Sequence, residues 1–228
     1  MAVRRDPDDS LAQVTAEIVS CTACPRLVAW RQKVATEKRA AFADEVYWGR
    51  PIPGFGDPQA QVLVAGLAPA AHGGNRTGRV FTGDRSGDWL FAALYRAGYA
   101  NQPTSVRADD GLTLKDCYIA AAVRCAPPAN KPTIEERDRC VPYLRRELAL
   151  LAKLRVTVVL GKFAYDTVAR LVDVPRPRPR FGHLVEVPAG NGLTVVCSFH
   201  PSQQNTFTGK LTEPMFDAVF ARTRALTA

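Results

Sequence analysis

The sequence predicts an α/β protein, a three-layer α/β/α sandwich around a central, mainly parallel sheet of four strands. Four apolar runs of β type each precede a segment with the spacing of an amphipathic helix. These runs are residues 62–65, 117–123, 156–160 and 193–199. Two of them are almost continuously apolar, which is typical of parallel strands buried on both faces. The alternation therefore favours helices on both sides of the sheet.

Length and composition suit one domain. The chain has 228 residues, of which 46% are hydrophobic, enough for a substantial core. We expect a single domain of residues 1–228, in which residues 1–60 form an N-terminal extension. No apolar run approaches the roughly 20 residues that span a bilayer, and the first residues lack the apolar core of a signal peptide. We therefore expect a cytoplasmic protein without membrane contacts, and a monomer.

The charge balance favours an anionic partner. Lys and Arg together number 30 and Asp and Glu 22, which gives a formal charge of +8. Such an excess is common in proteins that bind nucleic acids, although other small basic proteins share it.

The N-terminal part of the chain contains two predicted helices. After an acidic lead, Ser10 is a possible cap for a helix that reaches about Ser20. A second apolar face indicates another helix from Arg26 to Phe42. Both helices precede the first strand and belong to the extension.

Residues 47–58 hold too much Pro and Gly for a regular helix or strand. They mix Arg50 with Tyr47, Trp48 and Phe55, a composition that suits stacking on nucleobases. A packed surface loop is the commoner origin of such a composition, so both interpretations stay open.

A long loop of small residues, 66–87, joins the first strand to a helix predicted to begin near Asp88. Its six glycines let the backbone approach a ligand closely, and Arg76 and Arg79 add positive charge. The loop lacks the glycine spacing of dinucleotide-binding loops and the Lys-Ser/Thr ending of Walker loops. It suits an anionic, nucleotide-like partner, with an ordinary long connection as the alternative.

The second half of the chain repeats the pattern of strand and helix. Thr133 and Glu136 form a capping box for a helix that reaches about Leu154. Two further helices are predicted at residues 162–172 and 214–225. Between them, the basic connector at residues 175–180 suits either a phosphate contact or a solvated loop.

Candidate functional residues follow three of the predicted strands. They lie in the central loop, at residues 125–130 and at His200. Because ligands of open α/β sheets bind beyond the carboxyl ends of the strands, we expect these segments to share one site.

Six cysteines in a chain without a predicted secretion signal favour metal or cofactor ligation over disulfides. Cys21 and Cys24 lie two residues apart, while Cys125 and Cys140 flank a proline-rich turn and the start of a helix. Four thiolates from these positions could hold a [4Fe–4S] cluster or a tetrahedral zinc ion, and spacing alone does not choose between them. Our hypothesis is a structural [4Fe–4S] cluster that ties the N-terminal segment to the sheet.

Together the motifs resemble the family 5 (type B) uracil-DNA glycosylases of the uracil-DNA glycosylase superfamily. The matching stretches are residues 21–27 (CTACPRL), 66–73 (GLAPAAHG), 81–84 (FTGD), 121–130 (AAVRCAPPAN) and 200–206 (HPSQQNT). They follow the order of the family over nearly the whole chain. The resemblance implies the α/β/α sandwich, a four-cysteine [4Fe–4S] cluster and hydrolysis of the N-glycosidic bond of uracil in DNA.

The resemblance also implies a substrate range. Other branches carry a polar Asp, Asn or Glu in the first motif, where residues 67–70 here are apolar, so Asp84 is the candidate carboxylate. The family is credited with removing other deaminated bases such as hypoxanthine, which agrees with a less polar pocket. We therefore expect double- or single-stranded DNA with deaminated bases as the partner, and an abasic site as the product.

Roles in catalysis are assigned to Asp84, His200 and Asn130. Asp84 would position a water molecule or oppose the positive charge of the sugar, and His200 would donate a hydrogen bond to the departing base. The expected base-binding residues are Leu67, Ala68, His72, Phe81 and Asn130. The expected DNA contacts are Arg76, Arg79, Lys131, Gln203, Gln204, Asn205 and Lys210, with Gln203 or Gln204 filling the place of the flipped base.

Structural roles are the alternative for the two central residues. Asp84 could simply cap the helix that follows it, and His200 could be a hydrogen-bonded histidine at a strand end. For the whole protein, the main alternative is a non-catalytic iron–sulfur protein that binds damaged DNA. A cytosolic redox protein is a third possibility.

Overall fold

One sheet of six strands organises the chain. The computed structural model describes residues 9–228, and most of the acidic lead predicted before Ser10 lies outside them. The strands are β1 (Phe55–Gly56), β2 (Val62–Gly66), β3 (Cys117–Ala121), β4 (Val156–Leu160), β5 (Glu186–Pro188) and β6 (Thr194–Ser198). Their order across the sheet is β1-β3-β2-β4-β6-β5. The inner strands β3, β2, β4 and β6 run parallel to their neighbours, and the two edge strands are antiparallel.

The four predicted strands are confirmed as the parallel centre of the sheet, whereas the predicted total of four is wrong by two edge strands. Strand β1 has two residues and β5 has three. Such short strands show no readable alternation, and β1 lies inside the segment rich in Pro and Gly.

Eight α-helices surround the sheet in the described part of the chain. They are α1 (Leu11–Ser20), α2 (Pro25–Glu37), α3 (Gly74–Thr77), α4 (Arg85–Arg96), α5 (Ile134–Leu150), α6 (Lys162–Leu171), α7 (Gln203–Phe207) and α8 (Glu213–Thr227). None of these helices combines the length and the apolar character needed to cross a bilayer.

The sheet separates two apolar cores, which makes the molecule a three-layer sandwich as predicted. Alternate side chains of a strand point to opposite faces. Val62 and Val64 of β2 pack in the core that α4 and α8 cover, and Leu63 and Ala65 pack in the core beneath α5 and α6.

The N-terminal helices are fixed to α5. Val14 and Ile18 of α1 pack on Leu150, and Arg146 forms ion pairs with Asp9 and Glu17. In α2, Arg26 binds both carboxylate oxygens of Glu136 at 2.8 and 2.7 Å. These contacts place the Cys21 and Cys24 segment beside the start of α5.

The long loop after β2 is more structured than predicted. It contains the short helix α3, and α4 begins at Arg85 rather than near Asp88. The short helix α7 lies where the sequence shows no helical period. Because α4 begins at Arg85, Asp84 is its N-cap residue.

A buried ion pair lies beneath the same end of the sheet. Arg124, directly after β3, pairs with Glu147 of α5, and their side chains are 2% and 1% exposed. Glu147 also accepts hydrogen bonds from the backbone N–H of Gly54 at 3.3 Å and the hydroxyl of Tyr118 at 3.4 Å. The pair therefore joins three segments: β3 with the residues after it, α5, and the loop before β1.

Candidate active site

The loops that follow β2, β3 and β6 meet at one edge of the sheet. Beyond the strands, Ala122 N–H donates to the Gly66 carbonyl and Val123 N–H to the Leu67 carbonyl, both at 3.0 Å. On the other side, Gly161 lies beside His200, because a Cβ atom at Gly161 would be 3.5 Å from the His200 Cβ. The expected convergence at the carboxyl ends is thus present.

Asp84 lies in this edge and uses its two oxygens differently. Oδ1 accepts the Gly87 N–H at 3.0 Å as the cap of α4. Oδ2 lies over Gly73 of the central loop, so closely that a Cβ atom at Gly73 would be 2.1 Å away. Burial raises the pKa of the Asp84 carboxyl, although hydrogen bonds from the Gly87 and Ser86 N–H groups oppose the rise. The capping role and access to the central loop therefore coexist.

Phe81 connects Asp84 to His200. Its ring covers Gly66, where a Cβ atom would be 2.6 Å from the ring. The ring centroids of Phe81 and His200 are 6.0 Å apart at 33°. Since Asp84 follows Phe81 by three residues, the carboxyl and the imidazole lie on the same side of the molecule, as the glycosylase hypothesis requires.

His200 is held as a neutral imidazole. Burial lowers its pKa to about 4, and the Asn205 side-chain amide donates to the His200 carbonyl at 2.8 Å. A neutral imidazole offers one N–H donor. His200 can therefore donate a hydrogen bond at neutral pH without carrying charge.

His72 has a partner outside the central loop. Its Nδ1 lies 3.0 Å from the Tyr47 hydroxyl, and the two rings meet edge to face. Burial, with Arg39 and Arg76 nearby, lowers the pKa of His72. This hydrogen bond anchors the loop next to Gly73.

Arg76 and Arg79 differ from the sequence-based expectation of phosphate contacts. Their side chains are only 6% and 5% exposed, and they pair with Glu45 and Asp110. Arg76 also donates to the carbonyls of His72 and Gly83. Both guanidinium groups therefore hold the loop in shape rather than face a phosphate.

The other predicted contact residues lie near the edge with different exposure. Asn130, on a 3-10 turn (Pro128–Asn130), and Lys131 are exposed. Gln203, Gln204 and Lys210 are also exposed. The base-reading and DNA-contact roles of these five residues stay predictions, and so do the roles of Leu67 and Ala68, which are partly buried.

Two residues near the site were not predicted. Phe207 of α7 is 67% exposed, and the guanidinium of Arg85 lies 4.7 Å from its ring centroid. Arg85 follows Asp84 directly, so this stack joins the Asp84 and His200 segments. An isolated Phe in a polar stretch after His200 was the available signal.

Three of the four candidate metal-binding cysteines lie in one buried group. Cys24, Cys125 and Cys140 pack with Leu27 and Val123, and Ala68 of the central loop borders them. Cys21 is partly exposed. Among residues 9–228, no three His, Cys, Asp or Glu side chains close around a point as the ligands of one ion do.

A buried cation faces these thiols. Arg31 of α2 is 4% exposed, and its Nη1 lies 3.7 Å from the Cys125 Sγ. Within the described residues Arg31 has no carboxylate partner, and its Nε has no hydrogen-bond partner. Its carbonyl accepts the side-chain amide of Asn75 at 3.1 Å, which connects the cysteine group to the central loop.

Sequence comparison agrees with this arrangement. The uracil DNA glycosylase superfamily profile matches residues 53–224. A type-5 uracil-DNA glycosylase of Mycobacterium tuberculosis is 52% identical over 219 residues, covering 95% of this chain and 82% of the relative. The type-5 enzymes of Mycobacterium leprae, 52% identical (95% and 96% covered), and Thermus thermophilus, 47% identical (92% and 94% covered), are similar over the same extent.

The fold, the edge that collects Asp84, Phe81 and His200, and the similarity along nearly the whole chain lead to one assignment. The chain belongs to the uracil-DNA glycosylase superfamily, and within it to the type-5 family.

Proposed function

We propose that this protein is a DNA repair glycosylase that hydrolyses the N-glycosidic bond of uracil in DNA and leaves an abasic site. The observation that carries the proposal is that the Phe81 ring centroid lies 6.0 Å from that of His200, while the Asp84 carboxyl, three residues after Phe81, lies over Gly73 of the central loop. The type-5 relatives, which are named as uracil-DNA glycosylases, support the substrate.

The reaction needs two complementary groups. A base must leave the duplex stack before its glycosidic bond can be reached, and Phe81 offers a ring against which it can stack. As the bond breaks, negative charge grows on the base and positive charge on the sugar. The neutral N–H of His200 stabilises the base, by roughly 3 kcal/mol for one preorganised donor. Asp84 positions the attacking water and opposes the charge of the sugar.

The same site suits other deaminated bases. Leu67 and Ala68 of the central loop are apolar and partly buried, and in this proposal they form the walls of the base pocket. Such walls discriminate weakly between base edges. We propose hypoxanthine as a second substrate, with Asn130 as a contact to the base.

DNA binding by the exposed residues is part of the proposal. Lys131 and Lys210 contact phosphates, and each neutralised phosphate steepens the dependence of log K on log salt by about 0.9 in duplex DNA. Gln203 or Gln204 fills the place of the flipped base, while Asn205 holds the His200 segment through its hydrogen bond.

Release of free base tests the function. Under single turnover, duplex DNA with one labelled uracil should yield free uracil and an alkali-labile strand, and hypoxanthine should be released from a matched duplex. Tight binding of the uracil duplex without base release would instead identify a non-catalytic damage-binding protein.

We further propose that Cys21, Cys24, Cys125 and Cys140 hold a [4Fe–4S] cluster. The buried charge of Arg31 faces Cys125, and no carboxylate in residues 9–228 neutralises it, which suits a set of thiolates. A tetrahedral zinc ion bound by the same four thiolates is the alternative. When bound, the cluster supplies bonds between the N-terminal segment, the β3 loop and α5.

Metal analysis separates the two possibilities. Anaerobically purified protein should be brown and contain iron and sulfide. Cys125→Ser should lose this absorbance, while Cys197→Ser, a buried cysteine of β6, should keep it. Zinc without iron in the colourless protein would overturn the cluster.

A further inference from the structure

A second cleft lies beside the central loop, outside the site described above. It is lined by Val46, Tyr47, Trp48, Arg50, Arg76 and Thr77 and encloses about 340 Å³. That volume is at the lower end of small-ligand pockets, which span roughly 300–1,000 Å³. We refer to it as the Trp48 cleft.

Trp48 is held rigidly while part of its ring faces solvent. Its N–H donates to the Arg76 carbonyl at 2.9 Å, and its indole Nε1 donates to the Pro51 carbonyl at 3.1 Å. The ring packs on Gly78, where a Cβ atom would be 3.1 Å away. The residue is nevertheless 38% exposed. Since its only side-chain donor is already used, the open part of Trp48 is an aromatic surface.

The cleft also carries an uncompensated positive charge. The Arg50 guanidinium lies 5.8 Å from the Trp48 ring centroid, and within residues 9–228 Arg50 has no carboxylate partner. In contrast, Arg76 on the opposite wall is paired with Glu45. A flat aromatic surface beside a free cation matches a nucleobase with its phosphate.

Short contacts connect this cleft to the catalytic edge. Tyr47 binds His72 at 3.0 Å, and the Gly49 N–H donates to the Asn75 carbonyl at 3.0 Å. His72 precedes Gly73, which lies under the Asp84 carboxyl. One loop therefore separates the two sites.

We propose that the Trp48 cleft binds an unpaired nucleobase of the strand that carries the target base. The base stacks on Trp48, and Arg50 binds its phosphate. This inference rests on the proposed glycosylase function. Because every base has a π-face, stacking on Trp48 tolerates any sequence. It favours single-stranded or locally opened DNA, where neighbouring bases are free to leave the stack.

Single-stranded oligonucleotides with one uracil test the proposal. At each flanking position in turn, an abasic analogue removes the base and keeps the phosphate. Binding is measured by fluorescence anisotropy on the Asp84→Asn variant, so that the substrate survives. We expect one flanking position at which loss of the base weakens binding about tenfold, the effect of one base–aromatic stack.

Variants assign that effect to the cleft. Adding Trp48→Ala should weaken binding of the intact oligonucleotide to the same extent, with no further loss when the critical base is absent. Trp48→Phe should restore most of the affinity. Tyr95→Ala, which removes a 48% exposed aromatic residue near the other end of α4, is the matched control and should have no effect. Arg50→Gln should lower the salt dependence whether or not the base is present.

Two results would overturn the inference: equal losses for Trp48→Ala on all oligonucleotides, which would indicate a structural role, or no position at which a flanking base matters. Failure of the glycosylase function has a different signature. In that case the unmutated protein releases no uracil from any oligonucleotide, while the binding comparison can still be read.

Discussion

At the scale of single residues, Asp84 combines a structural and a chemical task. Its Oδ1 caps α4, and its Oδ2 faces the central loop across Gly73. The sequence predicts Asp84 near the start of a helix. It does not show that Gly73, which has no side chain, leaves room for the Asp84 Oδ2 next to the central loop. The two tasks can be separated because they use different atoms.

Asp84→Asn separates them directly. An amide oxygen can keep the cap, since Asn caps helices as well as Asp does, but the amide is not a base. We expect turnover on uracil-containing duplex to fall about 10²–10⁴-fold with an unchanged or higher melting temperature at neutral pH, because burial of the charged carboxylate is relieved. Single-turnover release and thermal melting measure the two effects.

Asp88→Asn is the matched control for this substitution. Asp88 lies exposed in the first turn of the same helix, so its loss removes a charge without touching the site, and turnover should stay near normal. Early unfolding of Asp84→Asn with normal activity per folded molecule would show that capping is the only role of Asp84.

His200 gives the protein a pH-dependent stability. Its pKa is about 4 in the folded state and 6.5 ordinarily, so the unfolded chain takes up a proton first as the pH falls. Stability from this group is complete above pH 6.5 and is lost between pH 6.5 and 4. His200→Gln should reduce the pH dependence of the free energy of unfolding between pH 6.5 and 4. If the pH dependence were unchanged in this variant, His200 would take up its proton equally in the folded and the unfolded protein.

At the scale of elements, periodicity predicted the centre of the sheet and missed its edges. Strands β2 and β4 are runs of five buried residues, a pattern with few alternatives. The start of α4 was missed because Arg85, Ser86 and Gly87 resemble a turn and become helical only with the cap at Asp84. Tertiary contacts decide such boundaries.

The same limit applies to the arginines of the central loop. Phe81, Asp84 and His200 all follow predicted parallel strands. Because the carboxyl ends of parallel strands lie at the same edge of the sheet, the sequence predicted that these residues lie near one another. It could not show that Arg76 and Arg79 are buried, because their partners Glu45 and Asp110 each lie 31 residues away. Local composition therefore identified the loop, but it could not show that Arg76 and Arg79 form ion pairs within the protein.

The buried pair of Arg124 and Glu147 joins β3 to α5, and breaking it should destabilise the fold. Glu147→Gln leaves a buried guanidinium without its counter-ion, which costs about 3–5 kcal/mol. Asp217→Asn breaks the exposed pair with Arg96 and should cost about 1 kcal/mol or less. Chemical denaturation compares the two variants. Equal, small effects would mean that Arg124 finds another partner.

At the scale of the whole molecule, the cysteine group is the junction between the N-terminal helices and the sandwich. Cys21 and Cys24 lie just before α2, Cys125 follows β3, and Cys140 lies in α5. Direct contacts such as Arg26 with Glu136 cross the same boundary. The proposed cluster would therefore add covalent links where the packing already brings these segments together.

Removal of the proposed cluster should first destabilise this junction between the N-terminal helices and the sandwich. We expect amide hydrogen exchange in the presence of a chelator to increase in α2 and, through Arg31 and Asn75, in the central loop, while α6 and α8 stay protected. Cys197→Ser should behave like the unmutated protein. Uniform loss of protection would show that the metal site holds the entire fold.

Arg31, which pairs with no carboxylate in the described part of the chain, has a consequence for the assembly of the fold. A guanidinium enters the interior only at a penalty unless an anion awaits it, and the proposed cluster would supply that anion as thiolate sulfur, whose protons are released to solvent when the metal binds. If the proposed cluster is present, limited proteolysis should therefore cut α2 more readily in the metal-free protein than in the metal-loaded protein.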